Sequence, residues 1–235
     1  MLAGALISLL VLAAPVEVTD RVQKQKFQVD GKTRAYYLFV PGSATPDRAA
    51  PLILLLHGYT DGRALTESWT SLAKQHGIIL LAPNSHRGNG WAMRDDGPEF
   101  LHALINRVRA VSPVDSRRIY AFGAVHGAMH ALAMAVLESE YFAAIVTDGG
   151  VLMKELVPFL ARLSRRVPIA MWADRNDDFF PLRSVRATRD LLNGHGFEVT
   201  LTEIAGHSGY GEVNRAAWEF LRQYRLDREP RFQRW

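Results

Sequence analysis

The stretch Pro51-Leu-Ile-Leu-Leu-Leu-His57-Gly58 constrains this chain more than any other. Five aliphatic residues in a row, with no polar alternation, do not suit a sheet that faces water on one side. They suit a strand covered on both faces, the situation of a parallel strand held between two layers of helices. The run is too short for a helix of ordinary length and is bounded by a proline and a glycine, both strong punctuation.

The rest of the chain supplies the alternation such a sheet needs. Asp30-Gly31 between the apolar segments 27–29 and 35–40 predicts an antiparallel hairpin that opens the domain. Helical spacing around 69–76 leads to a second apolar run, 78–82, closed by Pro83-Asn84, and a loop rich in Gly, Asn and Asp over 83–97. Helix is then expected at 98–111, strand at 118–122, helix at 127–137 and strand at 143–147. A helix at 153–165 is expected to break at Pro158, and strand follows at 169–173. Helix at 182–193 capped by Gly194, strand at 197–204 and helix at 210–224 close the pattern. Alternation of this kind specifies one α/β domain, a mostly parallel central sheet flanked by helices, without a large lid domain.

The chain has 235 residues, 48% hydrophobic and 22% charged, enough to bury a substantial core without a disulfide or a structural metal. With no cysteine, disulfide frameworks, zinc-cysteine modules, iron-sulfur clusters and cysteine nucleophiles are excluded together. The net charge of +4 is mild and does not suggest a nucleic-acid binder. The apolar run at 2–14 is too short to span a membrane and matches a signal-peptide core, so residues 1–20 are expected to be a signal peptide. The protein is then expected to be exported, periplasmic or secreted, without stable membrane insertion after cleavage; an uncleaved segment would leave it cytoplasmic. The domain is expected over 26–226. A basic tail follows at 227–235, and arginines recur at 222, 225, 228, 231 and 234. Pro230 argues against continued helix, so the tail is expected to be solvated, with contact to an anionic surface or partner as the sharper alternative.

In open α/β sheets, ligands sit beyond the carboxyl ends of the strands. Four segments occupy such positions: His57-Gly58-Tyr59, Gly123-Ala124-Val125-His126-Gly127, Asp174 to Asp178, and Gly206-His207-Ser208. Elbow, acid and base follow in the chain order of an α/β-hydrolase triad. His126 and His130 stand four apart on one helix face, a metal-like spacing, but no carboxylate motif accompanies them and no metal or cofactor is expected. Trp91, Tyr59, Phe179 and Phe180 are candidates to line a cleft, or simply to fill the core.

From about Arg34 to Phe220 the sequence resembles the α/β-hydrolase superfamily, and within it the secreted polyhydroxybutyrate depolymerase and feruloyl esterase group. The resemblance rests on residues 37–41, His57-Gly58, the Trp69 helix, Ala82-Pro83-Asn84, Trp91, Val114-Asp115 before Arg118-Ile119-Tyr120, the elbow glycines, and Gly206-His207. It implies Asp177 as the acid, with Asp178 or Asp174 as fallbacks, and His207 as the base. It implies the backbone amides of Tyr59 and His126 as oxyanion donors, with Gly58 and Trp91 as further oxyanion or binding positions. Asp177 also suits a polar turn or helix cap before Pro181, and His57 a structural role in its turn. A pairing of His207 with Asp178 or Asp148 would move the acid.

The departure from the family pattern is Val125, which stands where Gly-x-Ser-x-Gly carries its nucleophile. Without the serine, the expected function is that of a pseudoenzyme by the acyl-serine route, retaining a pocket for a small-molecule, polyester or aromatic ester ligand. One alternative is an active hydrolase using His207-activated water or a hydroxyl from Thr147, Ser85 or Ser208. Another is a partner-binding protein that reuses the sheet. A β-branched residue is a genuine outlier at positive φ, so the elbow is expected to have relaxed.

Overall fold

A computed structural model describes residues 21–59, 61–88, 90–206 and 211–233. The candidate signal segment 1–20 lies outside the described residues. β1 (Gln23–Val29) and β2 (Lys32–Phe39) pair antiparallel with Val29 opposite Lys32, so Asp30-Gly31 is the whole turn. Both turn residues take positive φ, 48° and 72°, as a two-residue hairpin of matching twist requires.

The chain continues through β3 (Ala50–Leu56), α1 (Gly62–His76), β4 (Ile79–Pro83), the single turn α2 (Met93–Asp96) and α3 (Pro98–Arg109). β5 (Val114–Ala124), α4 (His126–Leu137) and β6 (Ile145–Asp148) follow, then a 3₁₀ segment (Lys154–Arg162) and β7 (Ile169–Asp174). α5 (Leu182–Gly194), β8 (Val199–Ile204) and α6 (Glu212–Leu221) complete it. The sheet order is β1-β2-β4-β3-β5-β6-β7-β8. β2 is antiparallel to β1 and β4, whereas β4, β3 and β5 to β8 pair in parallel.

The apolar run behaves as its composition requires. All of β3 is buried, and its side chains divide between the two faces of the sheet. Leu52, Leu54 and Leu56 join a core with α3, α4 and α5, while Ile53 and Leu55 join one with Trp69 of α1 and Trp218 of α6. Asp61 caps α1 by accepting the Arg63 N–H at 3.1 Å, and Gly77 ends it at φ 69°.

Three expectations are corrected. The helix at 153–165 is 3₁₀ over Lys154–Arg162, since Pro158 cannot donate the α-helical bond and its ring crowds the preceding turn. α5 keeps Gly194 within the helix, and Gly196, at φ 83°, makes the left-handed exit. The C-terminal segment is not a solvated tail. Leu226 is buried and donates its N–H to the Arg117 carbonyl, and the Arg231 N–H reaches the Glu140 carbonyl. The Phe232 ring stacks on His102 at 4.1 Å, the two planes nearly parallel. Arg222, Arg225, Arg228 and Arg231 are exposed while Leu226, Phe232 and Gln233 make attachments, so the charge pattern marks the outer side of a strap. Among the described residues, no helix is long and apolar enough to cross a membrane.

Candidate functional site

β5 ends at Ala124, α4 begins at His126, and Val125 alone makes the turn between them. Its backbone sits at φ 54° and ψ −112°, so the expectation of a relaxed elbow is wrong. The reason lies in the neighbouring glycines. A Cβ on Gly123 would collide with the Gly127 carbonyl, and one on Gly127 with the Leu56 carbonyl. Helix α4 is thereby seated directly against the ends of β3 and β5, which leaves the chain only a sharp path. The Val125 N–H donates to the Asp148 carbonyl at 2.9 Å and its carbonyl accepts the Ala128 N–H at 3.0 Å. Packing and hydrogen bonds together hold a conformation that costs on the order of 1–3 kcal/mol.

The facing turn, His57-Gly58-Tyr59, is fixed from behind. His57 is fully buried, and its Nε2 accepts the Ser85 N–H at 3.1 Å. The ring proton therefore sits on Nδ1, which donates to the Gly58 carbonyl at 3.2 Å. Burial lowers the His57 pKa, in keeping with a neutral ring that accepts a hydrogen bond. Gly58 is the point of closest approach to the elbow: a Cβ there would lie 2.9 Å from Val125 Cβ. Tyr59 and His126, whose amides flank this contact, meet edge to face at 5.2 Å.

Trp91 donates its indole N–H to the His57 carbonyl at 2.8 Å, and its ring lies between those of His57 and His130, 5.0 and 5.1 Å away. His130 donates from Nε2 to the Asp96 carbonyl at 2.7 Å, and burial pushes its pKa down to about 4. Asp96, fully buried, pairs with Arg34 of β2 and accepts the amide protons of His86 and Ala92. Arg34 also holds the Asn84 and Asp95 carbonyls and lies 3.8 Å from the Phe100 ring centroid. The 83–97 loop is thus organised around one buried ion pair. Sequence reasoning missed this pair; the signals were an arginine at the head of the apolar run 35–40 and an acid two residues before Pro98.

On the acid side, Asp177 follows β7 in a tight loop. Its Oδ1 accepts the Phe179 and Phe180 amide protons at 2.7 and 2.9 Å, while Oδ2 faces Gly149 beside the elbow. A Cβ on Gly149 would lie 3.8 Å from that Oδ2 and 4.0 Å from Val125 Cα. The capping role and the position near the elbow therefore coexist in one carboxylate. Asp178 is exposed; Asp174 accepts the Asn176 and Gly206 amide protons; Asp148 is buried at the end of β6. His207 and Ser208 lie outside the described residues.

Among the described residues, two large apolar side chains stand exposed, Tyr59 at 62% and Phe179 at 56%, and both belong to this mouth. Phe179 meets Tyr59 at 6.1 Å and His126 at 5.1 Å, each near perpendicular. His126 therefore turns to these rings while His130 is committed to Asp96 and Trp91. Of the alternative hydroxyls, Thr147 and Ser85 are 0% and 5% exposed, and neither Oγ atom has a partner among the described residues. The Ser85 amide already occupies His57 Nε2, so that ring nitrogen is not free to act as a base toward the hydroxyl.

The strand order, the strained strand-to-helix elbow over paired glycines and the facing His-Gly turn define the α/β-hydrolase fold. Comparisons with known proteins agree at that level. "Putative esterase NocK" of Nocardia uniformis subsp. tsuyamanensis is 28% identical over 135 residues, 52% of this chain and 39% of that protein. The chain thus matches about two-fifths of the length of this curated relative. A thermostable esterase superposes with a TM-score of 0.70 at 23% identity, over 88% of this chain and 64% of that one. Esterase PE8 gives 0.62 at 24% identity, over 79% and 96%. The acylaminoacyl peptidase of Pyrococcus horikoshii gives 0.69 at 15% identity, over 91% and 43%. No protein-family model matches the chain.

Proposed function

We propose that this chain is an α/β-hydrolase homologue of the esterase and depolymerase type that binds an ester-bearing ligand at the elbow without forming an acyl-serine intermediate. The observation that carries this reading is Val125 at φ 54°, a nucleophile geometry holding a side chain that has no nucleophile. Loss of the serine from a comparable triad lowers kcat by about 10⁶, leaving roughly 10³ to 10⁴ over water. What remains suits recognition. The Tyr59 and His126 amides border the elbow, and the exposed Tyr59 and Phe179 rings offer stacking surface to an aromatic ester or polyester segment. Asp177 and His207 take the inherited acid and base positions in this reading, and residues 1–20 direct export.

The test is a fluorophosphonate probe on the wild-type protein, alongside hydrolysis of short p-nitrophenyl esters. No labelling and only marginal turnover are expected. Stoichiometric labelling of any serine overturns the proposal, and peptide mapping would then name the replacement nucleophile.

A further inference from the structure

At the opposite end of α4 from the elbow, Glu138 follows the last helical residue with its side chain 2% exposed. Its Oε2 accepts the Gln233 N–H of the strap at 2.9 Å, and Oε1 meets no donor among the described residues. The strap closes over this spot from both sides: Gln233 Oε1 takes the Ser139 N–H and hydroxyl at 3.1 and 3.2 Å, and the Arg231 N–H reaches the Glu140 carbonyl.

Among the described residues, the surrounding charges do not compensate an anion here. Glu99 of α3 opposes ionisation of Glu138, and so does the carbonyl end of α4. Arg109 is turned to Asn106 and Glu229, and Arg165 is spent on the carbonyls of Ser139, Phe142 and Ala143. Glu140 holds Arg231 and Ser164, His102 lies under Phe232, and the Arg109 guanidinium faces the buried Tyr141 hydroxyl. A buried carboxyl that has a single backbone donor and no cation paired with it among the described residues favours the neutral acid.

We propose that residues 226–233 form a proton-dependent latch, closed over Glu138 while that side chain is a neutral acid and released from Glu138, Ser139 and Glu140 when it ionises to solvent. Burial, with Glu99 adding to it, pushes the Glu138 pKa from its ordinary 4.5 up to about 8. Closing therefore takes up a proton between these values. The preference for the closed strap is full below the ordinary value and is lost as pH rises through about 8.

The test follows hydrogen exchange in the full chain, corrected for intrinsic rate, comparing the peptide over 226–233 with one over β3. Between pH 6 and 9 the opening of the strap is expected to rise more than tenfold while β3 stays protected. Glu138→Gln should hold the strap closed across that range. A strap insensitive to pH in the wild type, or an equal rise in Glu138→Gln, overturns the latch. Should Glu138→Gln not fold, carboxyl NMR of the wild type decides: titration of Glu138 near 8 supports the proposal, and titration in the ordinary glutamate range refutes it.

Discussion

Val125 stands over Gly58 so closely that a methyl group on the glycine would lie 2.9 Å from Val125 Cβ and 3.0 Å from the Ala124 carbonyl oxygen. The elbow and the turn bearing the Tyr59 amide are thereby interlocked, and neither shifts without the other.

Gly58→Ala is expected to destabilise the protein by about 1–3 kcal/mol, because a carbonyl and a tethered Cβ cannot yield as a flexible side-chain tip would. Urea unfolding of the variant checks this. Val125→Ser should not rescue it, since the clashing Cβ remains. A loss below about 0.5 kcal/mol, the scatter of ordinary surface substitutions, would show that the two turns move independently.

Val125→Ser is expected to convert the protein into one that a fluorophosphonate labels at position 125. The elbow already holds the required backbone, so the substitution supplies the missing atom without demanding a new turn. Ester hydrolysis should rise at least tenfold, short of the full ~10⁶ because placement errors near 1 Å cost about 10²-fold. Adding His207→Ala should abolish the gain. A gain indifferent to His207 would remove that residue from the base position.

The sequence announced those elements whose cause is local. Asp30-Gly31 is legible because the turn itself needs two residues tolerant of positive φ, and β3 because a strand covered on both faces needs no polar alternation. The elbow was legible because its glycine-flanked segment directly follows a strand, β5. The conformation of Val125 was misjudged for a tertiary reason: what holds it is the seating of Gly127 on Leu56, a contact made only once β3 and α4 are assembled. Arg34–Asp96 and Gln233–Glu138 escaped notice similarly, since their partners are 62 and 95 residues apart. For the strap, arginine periodicity drew attention to the side facing water, and the attachments lay in the less conspicuous residues between.

Arg34→Met is expected to cost about 3–5 kcal/mol, the usual penalty for leaving one member of a buried pair uncompensated. Arg34 is 5% exposed and Asp96 0%, so solvent offers Asp96 little relief. The loop should loosen too, because Asp96 holds it through the amides of His86 and Ala92. Guanidinium unfolding together with proteolysis within 84–97 tests both parts. A variant that unfolds at the wild-type midpoint would show that the pair contributes nothing net.

The last prediction concerns acid. His130 is buried as the neutral ring between Trp91 and the Asp96 carbonyl, with its pKa lowered from an ordinary 6.5 to about 4. Unfolding frees the ring to take up a proton at its ordinary pKa. The stability contributed by the neutral ring is thus fully present above pH 6.5 and is lost as pH falls toward 4, with a slope approaching about 1.4 kcal/mol per pH unit. His57, lowered by burial as well, adds in the same direction. His130→Phe keeps a ring against Trp91 and removes the titrating group, so it should be less stable at pH 7, where the bond to Asp96 is gone, yet show a flatter decline. Urea unfolding between pH 5 and 7, above the range in which ordinary carboxylates dominate, separates the two slopes. Equal slopes in that window would mean that the proton taken up on unfolding binds elsewhere than His130.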